Sequence, residues 1–272
     1  MTTWQLYLLL LIWALFSNRF TIMSILQNKC AVITGAGTGI GQATALLLAK
    51  NGAKVIVSDI NEAAANDTVN KIEKDGGQAK YIYCDVSRKE EVKNLMIESI
   101  ATFGPVKMAV NNAGIGGKYT PMHEIAFEDW DKMMAINLSG VFYCMKEEIN
   151  AMLHHHGGSI VNIASLAGLG GVPGGSSYAA AKHGVVGLTK SAAMEYGKFN
   201  IRVNAVCPGW TDTPILDALD DEMLDKSIRT FVPMKRLGRP AEVAEAILWL
   251  LSEKSSFING ATLRIDGGMK AG

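Results

Sequence analysis

The sequence has no excess of charge of either sign. Lys plus Arg and Asp plus Glu number 26 each among 272 residues, and the basic residues form no cluster. A protein that grips nucleic-acid phosphates needs such a cluster, so we expect no nucleic-acid partner. Apolar residues make up 49% of the chain, which is enough for a large core and argues against disorder.

Cysteine is scarce, and its spacing argues against a metal centre or a disulfide framework. The four cysteines form no Cys-x-x-Cys pair and no Cys/His ligand spacing. The three histidines at 154–156 do not converge on one ion, because successive helical residues diverge by about 100°. We predict that no metal is bound and that these histidines form a basic helix end. The cysteines are predicted to be reduced, buried small side chains: Cys30, Cys84, Cys144 and Cys207.

No apolar run reaches the ~20 residues that cross a bilayer. The longest covers residues 6–16, with neither a basic segment before it nor a cleavage site after it. Two interpretations stay open: translation begins at Met23, or the run is an anchor with Arg19 on the cytoplasmic side. In both, residues 1–22 are a hydrophobic extension outside the fold, and residues 23–272 form one domain. We predict a cytoplasmic protein that would associate with a membrane only through residues 1–22.

Segments typical of strands and helices alternate almost to the end of the chain, which predicts an α/β domain. The first strand is followed by a glycine-rich turn at residues 35–41 and then by a helix rich in alanine and leucine. Glycines let the backbone approach a pyrophosphate, and the helix N-terminus favours its negative charge. This context predicts a dinucleotide site. Its residues are Gly35, Thr38, Gly39, Ile40 and Gly41.

Asp59 ends the second predicted strand, eighteen residues after Gly41. A carboxylate there accepts both ribose hydroxyls of NAD and repels the 2′-phosphate of NADP. Asp59 also precedes a predicted helix and suits its cap, a role compatible with the first. Neither the glycine turn nor the positions directly after Asp59 carry Arg or Lys, so NAD is favoured over NADP.

The third and fourth predicted strands end in residues that suit the same cofactor. Asp85 and Val86 close the third strand, where a side chain can reach an adenine. The fourth strand ends in the sequence Asn-Asn-Ala-Gly at 111–114. Asn112 and Ala113 there form a turn of small and amide-bearing residues that packs against a ribose.

Ser165, Tyr178 and Lys182 carry the chemistry around which the chain is organised. Ser165 follows a short apolar strand, at the end where open α/β sheets bind their ligands. Tyr178 and Lys182 lie one turn apart on a predicted helix that Ser176 or Ser177 caps. A free tyrosine has a pKa near ~10, and a neighbouring ammonium that favours the phenolate would make Tyr178 a general base near neutral pH.

Two long segments have the apolar spacing of helices. The segment at 127–153 carries Asn137 among apolar positions, and a buried amide there holds a water or bends the backbone. The helix predicted at 176–199 has a broader apolar surface than one sheet face covers, which suggests a subunit interface.

Residues 210–233 are predicted to be irregular or short-helical. They are too long for a simple connection and are typical of a lid or binding loop. Their apolar side chains favour a hydrophobic ring as substrate: Trp210, Ile215, Leu216, Leu219 and Met223.

Together these motifs resemble those of the short-chain dehydrogenase/reductase family, from about Lys29 to the end of the chain. The family's glycine motif matches residues 34–41, its Asn-Asn-Ala-Gly motif matches 111–114, and its active-site serine, tyrosine and lysine match Ser165, Tyr178 and Lys182. The resemblance implies an α/β, Rossmann-type doubly wound parallel sheet of seven strands, in the order 3-2-1-4-5-6-7, with helices on both faces. It also implies a homotetramer or homodimer.

The resemblance further implies roles for single residues. Tyr178 is the acid/base, Lys182 lowers its pKa and binds the nicotinamide ribose, and Ser165 holds the substrate oxygen. Asn137 matches a fourth catalytic position and positions a proton-relaying water. Thr211 departs from the aliphatic residue that is common at its position. The implied cofactor contacts are Gly35, Thr38, Gly39, Ile40, Gly41, Asp59, Asp85, Val86, Asn112, Ala113, Tyr178, Lys182, Pro208, Thr211 and Thr213.

We therefore expect an NAD-dependent enzyme that interconverts a secondary alcohol and a ketone by hydride transfer. Within the family, Asp59 and the residues around Cys144, Lys182 and Tyr196 look most like bacterial dehydrogenases of cyclic secondary alcohols and diols. One alternative is an NADPH-linked 3-oxoacyl-carrier-protein reductase. The other is a cofactor-sensing binding protein without turnover, which the complete set of four catalytic residues argues against.

Overall fold

The computed structural model of the protein describes residues 25–217 and 220–271. Within these ranges, strands and helices alternate as the sequence predicts. The strands are β1 (Cys30–Thr34), β2 (Lys54–Asp59), β3 (Gln78–Tyr83), β4 (Val106–Asn111), β5 (Gly158–Ile163), β6 (Ile201–Pro208) and β7 (Thr262–Ile265).

The seven strands form one sheet in the order β3-β2-β1-β4-β5-β6-β7, and every neighbouring pair is parallel. This confirms the Rossmann-type, doubly wound fold. The strand order reverses between β1 and β4. Sheets of this kind bind ligands beyond the carboxyl ends of their strands at such a reversal.

Helices cover both faces of the sheet. Most of their bounds lie within a few residues of the prediction, because alanine- and leucine-rich segments alternate with short apolar strands. The helices are α1 (Gly39–Lys50), α2 (Glu62–Lys74), α3 (Lys89–Phe103), α4 (Phe127–Met134), α5 (Gly140–Leu153), α6 (Ser176–Tyr196), α7 (Asp221–Phe231) and α8 (Pro240–Leu251).

The core has two layers, one on each face of the sheet. All five residues of β1 are buried. Val32 packs in one apolar cluster with Val203, and Ile33 packs in the other with Val110. Successive strand side chains face opposite sides, so a strand covered on both sides is apolar at most of its positions. This explains the uninterrupted apolar runs in the sequence.

The helix predicted at 127–153 is present but contains a π-helical segment. α4 ends at Met134, a π-helical segment covers Ala135–Ser139, and α5 begins at Gly140. A π segment widens the helix locally and changes the pairing of its carbonyls, and such segments are frequent at functional sites. Asn137 lies in this segment and is fully buried. The sequence therefore marked the position of the irregularity but not its form.

Backbone hydrogen bonds with Gly238 hold the start of the segment at 210–233, which is predicted to be a lid or binding loop. Asp212 N–H donates to the Gly238 carbonyl (2.9 Å), and Gly238 N–H donates to the Trp210 carbonyl (2.8 Å). A short 3₁₀ turn at Pro214–Leu216 and α7 occupy the described part. Of the apolar side chains predicted for this segment, those of Leu219 and Met223 lie outside the described residues.

All four cysteines are buried and unpaired, as predicted. Among the described residues, no group of His, Cys, Asp or Glu is arranged to hold a metal ion. Nor does any described helix have the length and apolar character that a bilayer span needs. The hydrophobic extension predicted at 1–22 lies outside the described residues.

Candidate active site

Ser165, Tyr178 and Lys182 meet beyond the carboxyl end of β5. Ser165 follows β5 closely, and its Oγ accepts a hydrogen bond from the Ala167 N–H (3.1 Å). Tyr178 and Lys182 lie one turn apart near the start of α6, and Lys182 Nζ is 5.6 Å from the centre of the Tyr178 ring. The structure thus brings together the three side chains that the sequence singled out.

The start of α6 differs from the prediction in its cap. The helix begins at Ser176 and Gly175 occupies the capping position, so neither Ser176 nor Ser177 is the cap. The Gly175 N–H donates to the Val172 carbonyl (3.0 Å), which turns the glycine-rich loop directly into the helix. A capping serine is therefore not needed to start this helix.

Lys182 is a cation buried away from water, with 4% of the residue exposed. Its Nζ donates a 2.8 Å hydrogen bond to the carbonyl of Ile163, the last residue of β5. Burial lowers the pKa of Lys182 to about 8, and the neighbouring Cys207 acts weakly in the opposite direction. The lysine is therefore fixed at the sheet edge and is mostly protonated near neutral pH.

Burial also acts on Tyr178 and raises its pKa. A hydrogen bond with Ser165 lowers the pKa of the phenol, and Tyr119 raises it further. The sequence led us to expect that Lys182 would lower this pKa. The outcome differs because the prediction counted the charge of the lysine but not the loss of water around the phenol.

Asn137 holds the loop after β4. Its Oδ1 accepts from the Ile115 N–H, and its Nδ2 donates to the Ile115 carbonyl, both at 2.8 Å. The Nδ2 also donates to the Met133 sulfur (2.9 Å), so the side-chain amide is occupied by Ile115 and Met133. The resemblance to the family did not indicate this contact. Predicting it would have required knowing that the π segment faces the loop after β4.

The turn between β1 and α1 contains contacts that only glycine permits. A Cβ on Gly35 would lie 2.8 Å from Ala113 Cα, and one on Gly41 would collide with the Gly35 carbonyl oxygen. Gly39 has a φ of +54°, in the left-handed region that favours glycine. Glycine at these positions therefore lets the turn fold tightly on itself and pack against the loop after β4.

Thr38 and Ile40 flank Gly39 at the start of α1. Thr38 occupies the capping position in an extended conformation, and the first turn contains no acidic residue. The first N–H groups of a helix have no acceptor within it and lie at the positive end of its dipole. This end of α1 fits the pyrophosphate of a dinucleotide.

Asn112 and Thr34 fasten the glycine turn to the loop after β4. Asn112 Nδ2 donates to the carbonyls of Thr34 (3.1 Å) and Gly35 (2.8 Å). Thr34 Oγ1 accepts from the N–H groups of Asn112 and Ala113, each at 3.2 Å. The sequence indicated Asn112 and Ala113 but missed Thr34, whose position as the last residue of β1 is the signal that would have found it.

Asp59 ends β2 and turns its carboxylate toward the glycine turn. Its Oδ2 accepts from the Gly37 N–H and its Oδ1 from the Asn61 N–H, both at 2.9 Å. The cap of α2 is Asn61, whose Oδ1 accepts from the Ala64 N–H (3.1 Å), so the cap interpretation of Asp59 is wrong. The carboxylate instead fixes a negative charge beside the turn.

Asp85 and Val86 follow β3 and are held in different ways. Asp85 Oδ1 accepts from the N–H (3.0 Å) and the hydroxyl (2.7 Å) of Ser87, and Arg88 Nε lies 3.6 Å from Oδ2. Val86 is buried and packs on Gly140, where a Cβ would lie 2.8 Å from its side chain. The Val86 side chain thus belongs to the core, and its main chain is the part left for a cofactor.

Pro208 ends β6, and Thr211 and Thr213 lie at the start of the segment at 210–233, the predicted lid or binding loop. The Thr211 hydroxyl donates to the Gly209 carbonyl and the Thr213 hydroxyl to the Thr211 carbonyl, each at 3.2 Å. The Thr213 methyl carbon would lie 3.1 Å from a Cβ on Gly39. The start of the lid therefore lies against the glycine turn, beside a cavity of about 510 Å³.

Known proteins share both the sequence and the fold. The family model described as enoyl-(acyl carrier protein) reductase matches residues 35–270. Cyclohexanol dehydrogenase from Acinetobacter sp. (strain SE19) is 44% identical over 253 residues, 93% of this chain and 97% of that protein. A 2,5-dichloro-2,5-cyclohexadiene-1,4-diol dehydrogenase from Sphingobium indicum is 44% identical over 252 residues, 92% of this chain and 100% of that protein.

The same likeness holds in three dimensions. The crystal structure of levodione reductase matches with a TM-score of 0.88 at 35% identity, over 90% of this chain and 99% of that one. The strand order, the matched family model and these relatives agree with one another. The chain therefore belongs to the short-chain dehydrogenase/reductase family, oxidoreductases whose dehydrogenases act on alcohols with nicotinamide cofactors.

Proposed function

We propose that the protein is an NAD-dependent dehydrogenase that interconverts a cyclic secondary alcohol and its ketone. The observation that carries this proposal is the meeting of Ser165, Tyr178 and Lys182 beyond β5. A hydroxyl, a phenol and a buried ammonium are the groups that removal of a proton from an alcohol requires. They lie at the sheet edge that also carries the glycine turn.

In the oxidative direction, the Tyr178 phenolate accepts the proton of the alcohol while Ser165 Oγ holds the substrate oxygen. The Lys182 ammonium, 5.6 Å from the centre of the Tyr178 ring, is the positive charge available to oppose the effect of burial on the phenolate. NAD, when bound, supplies the hydride acceptor. Because the Asn137 side chain is committed to Ile115, we assign the water-holding role of Asn137 to its main chain.

The cofactor residues follow the carboxyl edge of the sheet. The turn before α1 fits the phosphates, and Asp59 fits the hydroxyls of the adenosine ribose, where its charge opposes a 2′-phosphate. Asp85 and Val86 fit the adenine end. The remaining contacts are assigned to Asn112, Ala113, Tyr178, Lys182, Pro208, Thr211 and Thr213.

Two observations support a ring-shaped, mainly apolar substrate. An open pocket of about 500 Å³ lies beside the start of α6, next to Tyr178 in the sequence but not lined by it. The lining residues are Met122, Gly171, Val172, Pro173, Ser176 and Ala179, of which only Ser176 has a polar side chain. The names of the two dehydrogenases compared above also describe six-membered carbon rings. Such a ring is largely apolar and suits this lining.

A reduction assay with purified protein tests the proposal. NAD is offered with cyclohexanol, with alicyclic diols, and with steroid and sugar alcohols, and the formation of NADH is followed. We expect turnover with the alicyclic alcohols and a strong preference for NAD over NADP. Turnover confined to NADPH and 3-oxoacyl thioesters would support the reductase alternative instead. Binding of NAD without turnover of any alcohol or ketone would support the cofactor-sensing alternative.

Asp59→Ala is expected to weaken the use of NAD and relax the preference for it. Loss of hydrogen bonds from a charged acceptor should lower kcat/KM for NAD by roughly tenfold or more, and kcat/KM for NADP should rise because the repulsion is gone. Steady-state kinetics with both cofactors measure the two changes.

Asp75→Ala is the matched control for this variant. Asp75 is exposed at the other end of α2, so its removal changes the net charge equally without touching the glycine turn. It should leave the ratio of the two kcat/KM values as in the wild type. An Asp59→Ala enzyme with an unchanged ratio would contradict the assignment of Asp59.

The cytoplasmic location and the homotetramer or homodimer stay predictions.

A further inference from the structure

Glu148 is a carboxyl group in the core that the proposed chemistry does not use. It is 1% exposed, and its Oε2 accepts a 3.0 Å hydrogen bond from Asn111 Nδ2. The same Nδ2 donates to Asn162 Oδ1 (2.9 Å), and Asn162 Nδ2 donates to Thr189 Oγ1 (2.9 Å). One chain of buried hydrogen bonds thus links α5, β4, β5 and α6.

One acceptor in this chain lacks a donor. Asn111 Oδ1 is buried and has no hydrogen-bond partner among the described residues. Turning the amide over does not help, because its oxygen would then face two acceptors, Glu148 Oε2 and Asn162 Oδ1. A buried amide oxygen without a hydrogen-bond donor is energetically costly, so we expect a donor here. A proton on a neighbouring oxygen atom can supply it.

We propose that Glu148 is a neutral carboxylic acid in the native protein and that its O–H is the donor that Asn111 Oδ1 requires. A carboxylic acid and a primary amide pair through two parallel hydrogen bonds, N–H to carbonyl oxygen and O–H to amide oxygen. The bond from Asn111 Nδ2 to Glu148 Oε2 is the first of the two. An ionised Glu148 only accepts hydrogen bonds, so it offers no donor to Asn111 Oδ1.

The surroundings of Glu148 favour the neutral form. Burial raises the pKa of Glu148 to about 8, and the hydrogen bond from Asn111 only partly opposes this. The titratable groups that share this pocket are two thiols, Cys144 on the same helix and Cys84 after β3, and burial raises the pKa of both. From β5 and α6 the neighbours are Asn162 and Thr189, which do not titrate.

The acid–amide pair makes Glu148 a positioning residue for the proposed cofactor site. Asn111 is the last residue of β4, and the next two residues, Asn112 and Ala113, bond to Thr34 beneath the glycine turn. A fixed Asn111 amide therefore fixes the point at which this loop leaves the sheet. Loss of the Glu148 proton should loosen the contacts that the loop makes with a bound dinucleotide.

Glu148→Gln separates the neutral acid from the carboxylate, because glutamine presents one donor and one acceptor to Asn111 at every pH. The folded-state pKa of Glu148 is raised from 4.5 to about 8. The protonated Glu148 therefore contributes its full stabilisation of the fold below about pH 4.5, and this stabilisation is lost as the pH rises through about 8. The melting temperature of the wild type, relative to Glu148→Gln, should fall by on the order of 10 °C between about pH 5 and about pH 8 and then level off.

Glu147→Gln is the matched control for the melting curves. Glu147 is the next residue along the helix, is partly exposed, and lies 3.6 Å from Lys146. This variant should follow the wild type at each pH. A difference between wild type and Glu148→Gln that stays constant across the range would overturn the proposal, because it would mean that Glu148 does not change its charge there.

The KM for NAD is the second measurement, and it rests on the proposed function. It should rise with pH in the wild type more than in Glu148→Gln, with similar kcat values. Equal KM values at every pH would overturn the positioning role. The melting curves require no activity, so an inactive protein with the expected melting difference would contradict the proposed function and leave the neutral acid in place.

Discussion

Tyr178→Phe is expected to lower kcat for alcohol oxidation by on the order of a thousandfold, the contribution typical of a positioned general base. The substitution removes only the phenol oxygen, so the ring still packs at the start of α6. The reaction then has no acceptor for the alcohol proton next to Ser165. The burial that raises the pKa of Tyr178 also disfavours a hydroxide ion at this position, so solvent does not readily replace the phenolate.

Tyr119→Phe is the matched control for this substitution. Tyr119 is close enough to raise the pKa of Tyr178, yet 46% of it is exposed and the proposed chemistry does not use it. Stopped-time assays of NADH formation should show rates near the wild type for this variant. Equilibrium titration with NAD should give similar affinities for the wild type and Tyr119→Phe, and a weaker affinity for Tyr178→Phe, which loses a proposed cofactor contact. Oxidation by Tyr178→Phe at the wild-type rate would rule out Tyr178 as the base.

The secondary structure was predictable from the sequence because the central strands are covered on both faces. Segments such as Cys30–Thr34 are short and mostly apolar, and a glycine turn follows this one, so they differ clearly from the helices between them. The order of the strands did not follow from this pattern. It came from the resemblance to a family, because parallel strands of similar composition carry little information about their neighbours.

The identities of the site residues were predictable, but the partners that hold them were not. Lys182 is held by the main-chain carbonyl of Ile163, and Asn137 by the backbone of Ile115. The isoleucine side chains give no indication of these backbone contacts. Glu148 follows a lysine and another glutamate, and such a run of charged residues is typical of a solvent-exposed helix face. Its burial depends on how α5 packs, which the local sequence does not specify.

Lys182→Met is expected to reduce kcat for oxidation about a hundredfold while making the protein slightly more stable. Burial lowers the pKa of Lys182 from 10.5 to about 8, which corresponds to roughly 3 kcal/mol of destabilisation in the protonated form. The methionine variant also loses the hydrogen bond to the Ile163 carbonyl, which offsets about 1–2 kcal/mol of its gain in stability. The net gain in the free energy of unfolding should therefore be on the order of 1 kcal/mol below pH 8.

The pH dependence of this gain identifies its cause. The folded-state pKa of Lys182 lies below the unfolded value, so the wild type gains stability as the pH rises from about 8 to about 10.5, and the advantage of the methionine variant shrinks there. Lys190→Met, which removes an exposed lysine two turns along α6, should show neither the loss of rate nor the pH-dependent gain. Thermal unfolding across this pH range, with initial rates at each pH, measures both effects. A Lys182→Met protein that kept its rate, or lost stability at every pH, would show that the buried ammonium serves the fold rather than the phenolate of Tyr178.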